Sequence, residues 1–196
     1  ETTRAGRSTL VLEAGTPGCG CSTRNGGQIS TSVKPEQSAL AARHGAERAR
    51  AIRREGETAL QWIEDRIASE AIDCDFRRVG RFHAAHTPKH YDALVRDAEA
   101  LSRNEDIETH AVPKAEQRRE LGSDAYYGGV VFPNHAALHP AKYHRGLLAA
   151  VLAAGAMVKG ACAVTGMRRD TGGFTLQTVQ GPVQARDVIV ATNGYT

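Results

Sequence analysis

The sequence lacks any long apolar run. No uninterrupted stretch approaches the ~18 residues that a membrane-crossing helix needs, so no membrane span is expected. Cysteine is sparse. Cys19, Cys21, Cys74 and Cys162 are the only four in 196 residues, too few for a disulfide-stapled fold. Cys19 and Cys21 form C-x-C rather than the C-x2-C of common zinc sites, and no second Cys/His pair follows at finger spacing. No metal is expected, and the thiols read as reduced groups of a cytoplasmic protein. Charge of one sign is also scarce: 25 Lys+Arg stand against 22 Asp+Glu, a net charge of +3. That excess is too small to argue by itself for a nucleic-acid-binding domain, and none is expected. The one basic stretch, 43–54, holds Glu47 and is followed by Glu55, so it reads as a solvated helix face. Repeats and low-complexity linkers are absent, and the opening segment has no apolar core of a secretory signal.

What is present is ordinary for a globular chain: 41% apolar residues, 24% charged and a mean hydropathy of -0.39. The length suffices for a sizeable core. Residues 9–13 (TLVLE) read as a buried strand ending in an acid. Residues 14–35 carry five glycines and two prolines and read as a long functional loop. From Glu36 to Glu70 the pattern is helical, broken near Gly45. Ile52, Gly56, Ala59, Leu60, Ile63 and Ile67 line one face. Residues 74–86 read as two strands about Gly80, 88–103 as a helix, 107–112 as a strand and 113–120 as a helical turn. Residues 126–133 read as a strand and 139–156 as the clearest helix, with His144, Leu147, Leu148, Val151 and Leu152 as its buried stripe. The remainder alternates as strands separated by Gly turns, ending in the strand ARDVIVAT (185–192).

Three features point to one chemistry. Glu13 ends an apolar strand, the position whose carboxylate accepts hydrogen bonds from an adenosine ribose in dinucleotide-binding folds. GCGCSTRNGGQ (18–28) supplies small residues that let a backbone approach a ligand. Its backbone N–H groups, with Ser22 and Arg24, suit a pyrophosphate, and Asn25 and Gln28 add amide donors. ARDVIVATNGYT (185–196) runs an apolar strand into small residues at its carboxyl end, where open α/β sheets bind ligands.

In this order, VLEAG, GCGCSTRNGGQ and VIVATNGYT resemble the D-amino-acid-oxidase-like family of FAD-dependent oxidoreductases. The stretches EAIDCDFRRVGRFHAA and GGVVFPNHAALHPAKYHRGLL resemble its gamma-glutamylputrescine oxidoreductase branch. The likeness covers nearly the whole chain, and RNGG is its most specific part. Cys19, Cys21 and Thr23 depart from the family pattern. The family's G-x-G-x-x-G turn, expected roughly 30 residues before the Glu, does not occur here, nor does the segment that follows the A-T-x-G strand. The expectation is therefore an internal piece of a longer enzyme, inactive by itself.

The resemblance implies an α/β fold: an incomplete FAD/NAD(P)-binding Rossmann-like domain (1–70 and 136–196) with part of a β-rich α+β substrate domain (71–135). It implies FAD as cofactor. Glu13 would hold the ribose. Ser22, Arg24, Asn25, Gly26, Gly27 and Gln28 would line the pyrophosphate and flavin. Val164 would meet the adenine side through its backbone, and Ala191, Thr192 and Gly194 would pass near the cofactor. The implied reaction is oxidation of a small-molecule amine or amino acid, with dioxygen as acceptor and hydrogen peroxide as product. Two alternatives stand beside it: a dehydrogenase passing electrons to a quinone or carrier, and a non-catalytic interaction module using the basic helix. No catalytic acid or base is assigned. His83, His86 and His90 do not converge as a ligand set. His135, His139 and His144 read as turn, cap and helix-surface residues, with a flavin-side position for His139 as the sharper option.

Overall fold

The computed structural model describes residues 1–105 and 107–193. The chain divides into two compact units: unit 1 is 1–25 with 144–196, and unit 2 is 26–143. This partition assigns the helices after the Gly-rich loop to the same unit as the central strands, whereas the expected division of domains follows the cofactor.

Unit 2 holds most of the buried core. Two helices, α1 (Gln37–His44) and α2 (Ala46–Ser69), form where the sequence is helical, and Gly45 separates them at φ +82°. Only glycine takes that conformation at no steric cost. In α2, Ala49 and Leu60 are fully buried, and Ile52, Gly56, Ile63 and Ile67 lie partly covered on the same stripe, while Ala59 faces solvent. An antiparallel sheet follows, in the order β3 (Arg81–Ala84), β5 (Gly129–Phe132), β4 (His110–Val112). Helix α3 (Pro88–Glu105) and a 3-10 turn (Lys114–Arg119) fill the connections. Ile72, Cys74, Ala85, Ala98, Val130 and Ala136 complete the core. Two short strands escaped the sequence reading: β2 (Gln28–Ile29) pairs with β6 (Ala136–Ala137). Two-residue strands leave no alternation to detect. The expected strand before Gly80 reduces to a single bridge, Arg77 to Ala137.

Unit 1 contains a two-stranded parallel ladder, β1 (Leu10–Leu12) with β7 (Met157–Lys159), in register Leu10–Met157, Val11–Val158 and Leu12–Lys159. A three-stranded antiparallel meander follows: β8 (Val164–Asp170), β9 (Gly173–Thr178) and β10 (Gly181–Ala185), with a bulge between Val164 and Gly166. Helix α4 (Pro140–Ala153) precedes β7; its residues from His144 onward belong to this unit.

Three expectations for unit 1 are corrected. The strand at 9–13 is not buried: Leu10 and Val11 are about two-fifths exposed. The α4 stripe is not buried either, and Leu152 is 50% exposed. Residues 187–192 form no strand, and Ile189 is 79% exposed. The cause is common to all three. Apolar patterning marks surfaces that a sheet layer covers, and among the described residues the parallel layer has only two strands.

Candidate cofactor site

Glu13 follows the last residue of β1 and stays in register with β7. Its N–H donates to the carbonyl of Lys159 at 2.9 Å, and its own carbonyl accepts from the N–H of Cys162 at 2.9 Å. The backbone is thus held on both sides, two residues before the start of β8. The Glu13 side chain bends back so that Oε1 accepts the N–H of Gly15 at 2.8 Å. Oε2 has no protein partner among the described residues. A carboxylate oriented by one backbone N–H and open at its other oxygen can accept a pair of hydroxyl donors.

The loop after Glu13 is a chain of tight turns. Cys19 N–H reaches Thr16 O, Thr23 N–H reaches Gly20 O, and Arg24 N–H reaches Cys21 O. The Thr23 hydroxyl donates to Gly18 O at 2.6 Å, and the Asn25 amide donates to Cys21 O at 3.0 Å. Thr23, the departure from the family pattern, therefore closes the loop by a side-chain bond. Gly18 has φ +85°, and a Cβ there would lie 2.7 Å from the His144 ring. At Gly20 and Gly26 a Cβ would meet nothing within 4 Å. Ser22 and Arg24 are exposed, and neither the Ser22 hydroxyl nor the Arg24 guanidinium has a polar partner among the described residues. An unpaired guanidinium and hydroxyl on a glycine-rich turn, with no acid on the turn itself, are the donor set that a pyrophosphate requires.

The remaining expected residues are distributed as follows. Gly27 is buried at φ +66°; its carbonyl accepts Leu138 N–H at 2.9 Å, and a Cβ would fall 2.0 Å from Leu138 O. Its glycine is thus required by the chain's own backbone. Gln28 is exposed at the start of β2, and Gly26 is exposed just before it. Val164 opens β8 opposite Thr178, its side chain about half exposed. Ala191 and Thr192 are exposed and outside any strand; Gly194 lies outside the described residues. The structure therefore joins the Glu13 end of β1 to the segment before Val164. For Ala191 and Thr192 it provides no strand.

The histidines behave differently from one another. His139 acts as a cap: its Nδ1 accepts Lys142 N–H at 3.4 Å, and its own N–H donates to Cys74 O at 2.7 Å. His86 and His90 stack at 5.9 Å, with Tyr126 at 5.4 Å from His86. His135, expected in a turn, follows the bend at 133–134 and is only 5% exposed. Burial pushes its pKa down, and the nearby Arg81 charge adds to that. Among the described residues no group of three or more His, Cys, Asp or Glu is arranged to hold a metal, and no helix is long and apolar enough to cross a membrane. Sequence reading did not single out Arg81. Its only signal is a cation beside Phe82 in the short strand Arg81-Phe82-His83-Ala84.

Comparison with known proteins gives the family and the fold. The family model described as FAD dependent oxidoreductase matches residues 1–196. Gamma-glutamylputrescine oxidoreductase of Escherichia coli is 31% identical over 191 residues, covering 97% of this chain and 44% of the relative. A probable oxidoreductase, OrdL, of Haemophilus influenzae is 28% identical over 196 residues, covering 100% of this chain and 45% of the relative. Glycine oxidase of Geobacillus kaustophilus shares the fold at TM-score 0.76 and 21% identity, over 96% of this chain and 50% of that one. L-amino acid deaminase of Proteus vulgaris does so at TM-score 0.69 and 16% identity, over 93% of this chain and 41% of that one. The chain spans a little under half the length of the curated relatives it matches. With the family model matching residues 1–196, the chain belongs to the FAD-dependent oxidoreductases of the D-amino-acid-oxidase (DAO) family.

Proposed function

We propose that the protein carrying this chain oxidises a small-molecule amine or amino acid, of the gamma-glutamylputrescine type, using FAD. The observation that carries the reading is the Glu13 carboxylate, with one oxygen fixed by Gly15 N–H and the other open. In this reading Glu13 binds the adenosine ribose. Ser22 and Arg24, with Asn25, Gly26, Gly27 and Gln28, bind the pyrophosphate and flavin. Val164 lies at the adenine side, and Ala191, Thr192 and Gly194 lie along the cofactor. Residues 1–70 and 136–196 serve the cofactor, and 71–135 serve the substrate.

When bound, FAD would supply a two-electron acceptor for oxidation of the C–H bond beside the amine to an imine that water hydrolyses, with dioxygen as the final acceptor and hydrogen peroxide as its product. The chain's own contribution is binding and orientation. Arg24 brings a fixed positive charge to a diphosphate. The Thr23 hydroxyl holds the turn that presents it.

The test is an FAD titration, followed by visible absorbance and flavin fluorescence, of the protein extended to the length of its curated relatives. Glu13→Gln and Arg24→Ala should each weaken binding about tenfold, the scale of a lost charge-assisted hydrogen bond. A protein that takes up no FAD overturns the reading. Peroxide yield with amine substrate then separates dioxygen from a quinone or other carrier as acceptor.

A further inference from the structure

Arg81 begins β3 opposite Phe132 of β5, in unit 2. Its guanidinium lies over the Phe132 ring at 5.0 Å, and that ring lies 5.9 Å from the His135 ring. Arg81 is partly buried, and its Nε is shut off from water with no acceptor. Among the described residues it has neither an ion pair nor a hydrogen bond, so its two Nη nitrogens are left to solvent. The other groups whose charge acts on His83 are His90 and His86. The Arg81 field pushes down the pKa of both His135 and His83, after desolvation in each case.

This arrangement is costly for a protein to keep. A guanidinium N–H shut off from water, as the Nε of Arg81 is, normally has an acceptor beside it. Here the aromatic face fixes the plane of the fork, leaving the edge open. A flat edge with parallel N–H donors matches a planar carboxylate, which it holds by two bonds at once.

We propose that Arg81, stacked on Phe132 and flanked by His135, is a binding site for a carboxylate. Two sources share that chemistry: the carboxylate of an amino-acid-type substrate, and an Asp or Glu of polypeptide beyond these 196 residues. The first source rests on the function proposed above; the site itself does not.

The test has two arms. In the first, acetate is titrated into the 196-residue chain, with chloride at equal ionic strength as control. The imidazole C–H resonances of His135 and His83 are followed. Saturable shifts that disappear in Arg81→Gln are expected. Arg81→Lys, which keeps the charge and loses the fork, should bind acetate more weakly than the parent. No saturable shift, or one that survives Arg81→Gln, overturns the proposal, as does tighter binding of inorganic phosphate than of acetate.

The second arm uses the protein extended to the length of its relatives and locates the source. If the substrate supplies the carboxylate, Arg81→Gln raises KM about tenfold or more for an amine that carries a carboxylate. KM for a carboxylate-free amine then stays unchanged, as does kcat for both. If the polypeptide supplies it, the extended protein no longer takes acetate at His135, and Arg81→Gln lowers its Tm while leaving both KM values alone. An extended protein that oxidises no amine refutes the function proposed above; the acetate result in the first arm still decides the site.

Discussion

Gly56 sits in the middle of a 24-residue helix, directly against the carbonyl oxygen of Thr31; a Cβ there would come within 2.1 Å of that oxygen and 3.2 Å of the Val33 side chain. A glycine in a helix interior costs about 1 kcal/mol relative to alanine. Here it lets an extended segment lie on the helix backbone. Gly56→Ala should therefore destabilise despite its better helix propensity, by about 2 kcal/mol, the scale of overpacking. Urea unfolding of the two proteins checks this; a stabilised variant would show that the contact yields at no cost.

Arg53 joins the same region to α3. Its Nη1 donates to Val33 O at 3.2 Å, and its Nη2 pairs with Glu105, the two side chains being 17% and 13% exposed. Removing one member leaves the other charge withdrawn from water without its partner. Arg53→Met should cost about 3 kcal/mol, whereas the double change Arg53→Met with Glu105→Met should recover much of that loss. A double-mutant cycle measured by chemical denaturation distinguishes this from simple additivity.

Gln117 is 1% exposed on the 3-10 turn. Its Nε2 donates to Ser123 O at 3.1 Å, and its Oε1 accepts Gly128 N–H at 2.9 Å. One side chain thus closes the 120–128 loop from both ends. Gln117→Leu leaves the buried Gly128 N–H and the part-buried Ser123 carbonyl unpaired and should cost about 2 kcal/mol. Hydrogen exchange at Gly128 should quicken in the variant, a change that global destabilisation alone spreads evenly over the core.

Acid should weaken the fold through His135. Its pKa in the folded protein is depressed, by burial first and by Arg81 second, against about 6.5 in an unfolded chain. The unfolded state then binds more protons between those two values, so stability rises with pH in that window. The contribution is complete above pH ~6.5 and is lost as pH falls toward the folded-state value. His83 acts in the same direction. Unfolding midpoints between about pH 5 and pH 8 should fall on the acid side, and His135→Gln should flatten that fall. An unchanged slope in the variant would assign the acid sensitivity elsewhere.

Helical segments were well legible in the sequence. The break at Gly45, the span of α2 and helix α3 follow from apolar spacing and a glycine, all local signals. Strands β8 and β9 followed from alternating runs about a Gly turn, whereas β10 (Gly181–Ala185) lies where a turn was read, ahead of a strand expected at 185–192. Burial was less legible. Val151, Leu152 and Ile189 have the composition of covered residues, yet covering depends on what packs opposite, which no local pattern records. At the site, Glu13 and the turn after it were found by residue type and spacing. The Thr23 hydroxyl bond to Gly18 and the open Glu13 oxygen required coordinates. Arg81 left almost no trace, because a cation in a strand reads as solvent-facing until its aromatic neighbour across the sheet is known.

The two-stranded ladder of β1 and β7 has a consequence for handling the chain in solution. Each strand has one edge without a partner among the described residues, and the side chains of Leu10, Val11 and Met157 are exposed. Ile189 and Val190 present a further apolar run free of any ladder. Open edges beside apolar side chains recruit strands from other molecules. Self-association of this chain should accordingly rise with concentration and tolerate salt. Charge substitutions at Val11 and Ile189 should raise its colloidal limit without touching the Arg53, Gln117 or His135 networks.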